Sequence, residues 1–173
     1  SHLPFKLPSS KFDIFKDQPG EMRDFLNSMA YSDFALKKFF ENAQDSNYYK
    51  DTLFVLVGDH VAGYFVKESL HEAYRVPALF INDRLGLSGI HDSAAFQMDI
   101  VPSILHLLET DRPFTSWGKS IFSGGERLSM LPRGPTRVLV SEPYFLLADQ
   151  NGPLGLYDYS SNPRQNLVEG KRD

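Results

Sequence analysis

Residues 52–58 read TLFVLVG, a nearly unbroken apolar run too short for most helices, and RVPALFI at 75–81 is a second run of the same kind. Short apolar stretches bounded by turn residues are the mark of strands buried on both faces, as in a parallel sheet. Such strands need helices to cover them, and the chain supplies two helical patterns. From Glu21 to about Ala43 the residues Met22, Phe25, Leu26, Met29, Leu36, Phe39 and Phe40 recur near helical spacing. They predict one long helix, or two with a break near Tyr31–Asp33. The second pattern runs from Gln97 to Glu109, with Val101, Ile104, Leu105 and Leu108 on one face. Pro102 is tolerated there because the first turn does not need its missing N–H.

Before Glu21, Pro4, Pro8, Pro19 and Gly20 punctuate an irregular loop, and residues 111–136 carry enough Pro, Gly and Ser to predict another. The tail changes character: RVLVS, YFLLA and LGLYDY are short strands separated by Glu142-Pro143 and DQNGP, which predicts an antiparallel meander over 136–160. The expected fold class is therefore α/β, with an α/β core portion over 1–125 followed by a β-rich appendage. At 173 residues, 42% apolar and 23% charged, the chain has the composition of a globular domain or a piece of one. SHLPF at the start reads as the middle of a chain.

Other totals narrow the function. A net charge of −4 speaks against nucleic acid as a partner, though one cation in a site can reverse the local field. The absence of Cys removes disulfides and thiolate-ligated zinc. No apolar run approaches the roughly 20 residues of a membrane helix.

The first apolar run ends in Gly58-Asp59-His60. Beyond the carboxyl end of a strand is where α/β sheets build their sites, and a bend at Gly58 lets both side chains converge. A carboxylate oxygen and an imidazole nitrogen suit Zn²⁺ or Mn²⁺. Three readings fit the dipeptide: a surface accident, a structural hydrogen-bonded pair, or two ligands of a cation whose other ligands lie elsewhere. His71, just before RVPALF, fits a substrate or second-metal contact, or a surface position on a short helix. His91, in GIHDSAAFQMD, fits a loop contact to the site, or a turn before a helix with Asp92 as its cap. His106, between Leu105 and Leu107, fits a packing or boundary position.

Several motifs in order carry a resemblance across nearly the whole chain. VLVGDH follows a helix ending in FFENA, and VPALFI and QMDIVPSILHLLE come after it. SHLPF opens the chain, and LYDYSSNPRQNLVEG closes it. Together they resemble the second half of a sulfatase-type domain of the alkaline phosphatase superfamily, closest to its lipoteichoic acid synthase and phosphoglycerol transferase branch. The resemblance implies that residues 1–173 are the C-terminal part of one such domain. It also implies an alkaline phosphatase/sulfatase-like sheet flanked by helices and ending in the meander.

By the same resemblance Asp59 and His60 are ligands of one divalent cation, Mn²⁺ or Zn²⁺, with Ca²⁺ the choice in a sulfatase. His2 is a catalytic residue touching the substrate phosphate or leaving group, and His71 and His91 are further substrate contacts. The remaining acidic ligand and the nucleophile, a Thr in the transferases and a modified Cys or Ser in sulfatases, are expected upstream, so the fragment alone is expected to be inactive. The implied activity is transfer or hydrolysis of a phosphodiester or phospholipid head group of the phosphoglycerol or phosphoethanolamine kind. Sulfate-ester hydrolysis, or a metal-free lipid-binding pseudoenzyme, are the alternatives. The implied partners are an anionic phospholipid, or a sulfate or phosphate ester, together with the upstream half of the domain. The implied location is extracytoplasmic, anchored to a membrane by upstream segments. One departure stands out: VAGYFVKESLHEAY follows the Asp-His pair, where family members continue with a small residue and a polar stretch. Trp117, in TSWGKSIF, matches the family's element after the second helix and is expected to close the domain surface.

Overall fold

A computed structural model describes residues 3–61, 72–91 and 93–168, with residues 132 and 133 described by their backbone alone. The chain divides into two compact units, Ser1–Phe54 with Asn82–Arg84, and Val55–Ile81 with Leu85–Asp173.

In the first unit the predicted helix is one continuous element, α1, Gly20–Gln44. Tyr31–Asp33 does not break it, because none of those residues lacks an N–H or clashes with the preceding turn. The irregular segment before it is held by polar side chains. Asn27 is buried, and its Oδ1 accepts the N–H groups of Ile14 and Phe15 at 2.9 and 3.0 Å. Its Nδ2 donates to Asp13, which also takes the guanidinium of Arg23. Edge-on aromatic contacts complete the unit: Phe5 on Phe25, Phe12 on Tyr31, and Phe40 on Phe54 at 5.2 Å.

The two apolar strands, β1 Phe54–Val57 and β2 Ala78–Ile81, form a two-stranded sheet, which from Val55 onward belongs to the second unit. Both are shorter than the apolar runs, since Arg75 and Pro77 precede the ladder and Gly58 ends it. Neither is buried on both faces as expected: Val57 and Leu79 are exposed, because two strands offer too little neighbouring surface to cover two faces. After β2 a 3₁₀ turn at Gln97–Asp99 leads into α2, Ile100–Leu107. The buried side of α2 is Pro102 and Ser103, while the predicted core positions Val101 and Leu108 are exposed. Ser103 is drawn inward by polar bonds: its Oγ donates to Asp99 O at 2.6 Å and accepts the Ile121 N–H at 2.9 Å.

The meander has four strands, ordered β3 Ser129–Arg133, β4 Thr136–Ser141, β5 Tyr144–Asp149 and β6 Gly152–Asp158, antiparallel throughout. β3 corrects the expectation of a loop over 111–136. It lies at the sheet edge, where Pro132 is tolerated, and Gly134 at φ 57° makes the turn into β4. Val138, Val140 and Phe145 form the buried core of this unit. Val138 and Val140 share a face because strand side chains alternate, and register places Val140 opposite Phe145. Tyr74, Phe96 and Tyr157 pack around them. The Ala94 N–H donates to the carboxylate of Glu142. The meander is thus fastened to the chain between β2 and α2.

Candidate functional site

The ladder stops at Gly58, whose N–H donates to Pro77 O at 3.0 Å, and the next two residues bend away from the strand. A side chain at 58 would stand 3.0 Å from the Val76 Cβ, so the close approach of β1 to the segment before β2 favours glycine. The bend brings Asp59 and His60 to one point instead of opposite faces. Asp59 Oδ1 accepts the His60 backbone N–H at 2.9 Å, which turns Oδ2 outward. His60 Nδ1 stands 2.9 Å from Val61 O. A carbonyl oxygen only accepts, so Nδ1 carries the proton and Nε2 keeps its lone pair in the neutral ring. Oδ2 and Nε2 then face each other at 3.7 Å.

This donor set fits a cation. Two ligands about 2.0–2.2 Å from one metal ion stand roughly 3–4 Å apart, and metal-binding histidines commonly give their other ring N–H to a backbone carbonyl. The side chains are 90% and 73% exposed, so neither lone pair is spent on a buried structural bond. Among the described residues no three His, Cys, Asp or Glu side chains gather around one point. A cation at this point would need further donors beyond Asp59 and His60.

The pair opens onto a cleft of about 2000 Å³ within the second unit, lined also by Tyr74, His91, Phe96, Gln97, Tyr159 and Arg164. His91 sits on this wall with its Nε2 donating to Ile121 O at 2.5 Å and its ring stacked on Phe122. Burial pushes the Tyr159 hydroxyl upward, and the charges of Glu142 and Asp158 add to that shift, leaving a neutral O–H donor at pH 7. His2, His71 and Asp92 lie outside the described residues. His106 is exposed, with its ring 6.0 Å from Phe122.

Two features escaped the sequence. Gln97 Nε2 donates to both Gly58 O at 2.8 Å and Asp59 O at 2.9 Å, tying the helix entry to the bend. Behind it lies a buried ion pair, Asp99 with Arg127, at 3.2 Å. Asp99 also accepts the N–H groups of Phe96 at 3.0 Å and Lys119 at 2.8 Å. An acid three residues after the helix entry is the one local signal that pointed here. Beside this pair the chain at Gly118 passes so close that a Cβ there would stand 2.0 Å from Met98 O. Trp117, expected to close the surface, is 89% exposed; its neighbour Gly118 makes the contact instead.

The Sulfatase family profile matches residues 1–110. Lipoteichoic acid synthase of Staphylococcus aureus, in strains USA300 and COL alike, is 26% identical over 144 residues, which is 72% of this chain and 22% of that protein. The chain therefore spans under a quarter of that relative's length. A solved protein in the alkaline phosphatase superfamily from Vibrio parahaemolyticus superposes with a TM-score of 0.74 over 96% of this chain and 41% of that one, at 24% identity. The likeness shows the fold, an α/β fold shared with that protein. No helix among the described residues is long and apolar enough to cross a membrane.

Proposed function

Because the chain belongs to the sulfatase family, we propose that it carries part of a metal-dependent site that transfers or hydrolyses a phosphodiester head group of the phosphoglycerol or phosphoethanolamine kind. The observation that carries this is the outward pairing of Asp59 Oδ2 with His60 Nε2, each fixed by a backbone bond through its other polar atom. A divalent cation, Mn²⁺ or Zn²⁺, held by these two and by ligands outside the described residues, would stabilise charge on the non-bridging oxygens of the ester. His2 orients or protonates the leaving oxygen. His71 and His91 contact the substrate, His91 from the wall of the same cleft, where Tyr159 adds a neutral donor. The nucleophile and the remaining acidic ligand belong to the part of the protein upstream of this chain, which alone does not turn over substrate. The intact protein works outside the cytoplasm on an anionic phospholipid, held to the membrane by segments beyond this chain.

Similarity to lipoteichoic acid synthase supports the phosphodiester reading over a sulfate ester. Sulfate-ester hydrolysis, the chemistry the family's name denotes, is the second reading, and Ca²⁺ would be its cation. The test is the metal content of the protein encoded by the intact gene, wild type beside His60→Ala, by elemental analysis after dialysis. About one Mn²⁺ or Zn²⁺ per chain, lost in the variant, is expected. Side-by-side assays with a phosphodiester and a sulfate ester then separate the two chemistries. No metal in either protein would overturn the enzyme reading in favour of a lipid-binding pseudoenzyme.

A further inference from the structure

We infer that Gln97 is a positioning residue that sets the geometry of the Asp59–His60 pair. Past Gly58 the strand ladder no longer holds the chain, and the carbonyls of Gly58 and Asp59 accept from a side chain. Both are taken by one group: the Gln97 amide nitrogen, at 2.8 and 2.9 Å. A primary amide has two N–H donors, enough for both acceptors. One planar group gripping two successive carbonyls fixes the peptide planes on both sides of the Asp59 Cα. Those planes aim the Asp59 carboxylate and the His60 backbone N–H that orients it.

Gln97 can serve as a fixed point because its own backbone is anchored. It begins the 3₁₀ turn that ends at Asp99, whose buried carboxylate is held by Phe96 N–H, Lys119 N–H and Arg127. Rigidity therefore passes from a buried ion pair through one turn and one amide to the exposed pair of donors. Side chains that support metal ligands from behind typically change affinity 10- to 100-fold when removed. The consequence for metal affinity rests on the function proposed above; the positioning itself does not.

The test uses the intact protein as wild type, Gln97→Met and Gln97→Glu. Met keeps the length and shape without donors, and Glu turns an acceptor toward two carbonyl oxygens. Mn²⁺ affinity is measured by competition with a metal indicator, and the His60 ring state by ¹⁵N NMR of histidine-labelled, metal-free protein. Gln97→Met is expected to weaken Mn²⁺ binding roughly 10- to 100-fold, and Gln97→Glu more. The thermal midpoint of the metal-free Met variant should stay within about 2 °C of wild type, as for an exposed substitution. The ring ¹⁵N signals of His60 should shift as the pair is reoriented. Mn²⁺ affinity within about twofold of wild type, with an unchanged ring signal, would overturn the inference. If the wild type takes up no metal, the function proposed above fails by itself. The ring signal then decides: a shift in the Met variant upholds positioning, and no shift overturns it.

Discussion

Replacing Asp99 by Ala should loosen the whole entry to α2. Asp99 and Arg127 have side chains only 4% and 8% exposed, so the ion pair is shielded from water. Removing one partner of a buried pair costs about 3–5 kcal/mol, because the other charge is left without compensation. Arg127 keeps part of its support: it also donates to the carbonyls of Lys119, at 3.0 Å, and Ser120. The Phe96 and Lys119 N–H groups lose their acceptor altogether. The balance places the expected loss near the lower end, about 3 kcal/mol. Hydrogen exchange on the intact protein suits this test, since it reads opening locally, at single amides. The amide to follow is Ile121, whose bond to Ser103 Oγ the substitution does not touch. A loss of about 3 kcal/mol means exchange faster by roughly 100-fold. Asp99→Ala combined with Arg127→Met should be milder than Asp99→Ala alone, because the stranded charge is gone. Exchange at Ile121 within about threefold of wild type would show that the pair behaves like an exposed one, worth under about 1 kcal/mol.

Phe145→Ala should destabilise the second unit by about 3–5 kcal/mol, read as a lower urea midpoint for loss of the meander, because Phe145 is 1% exposed and wedged between Tyr74 and Tyr157. The guanidinium of Arg23 hydrogen-bonded to Asp13 holds that carboxyl below its usual range. A carboxyl depressed by folding adds stability above its unfolded pKa of about 3.9 and loses it as pH falls through the folded value. The advantage of wild type over Asp13→Asn in urea titrations should therefore be full at pH 6 and fade below about pH 4; an advantage that grows on acidification would refute the assignment.

Much of the architecture was legible because it depends on local chemistry. Apolar runs of strand length, helical spacing from Met22 to Phe40, and turn residues between the last strands are written in neighbouring positions. Asp59 and His60 were legible too, since a carboxylate and an imidazole at a strand end are conspicuous where apolar residues are expected. β3 was not, because its five residues include Pro132 and Arg133 and carry no alternation. The pattern on α2 misled: an apolar face implied burial of Val101 and Leu108, yet Ser103 went inward because two backbone groups waited there for its hydroxyl.

What the sequence by itself determined is the α/β class, a helical stretch from Glu21 to about Ala43, the meander, and the adjacency of a carboxylate and an imidazole at a strand end. What only the tertiary structure decided is how that pair is aimed. Gln97 meets Gly58 and Asp59 from 39 and 38 positions away, and Asp99 meets Arg127 across 28. Contacts over such distances leave no periodicity in the chain. They arise only when packing brings an orphaned carbonyl or a buried charge to the one side chain able to satisfy it.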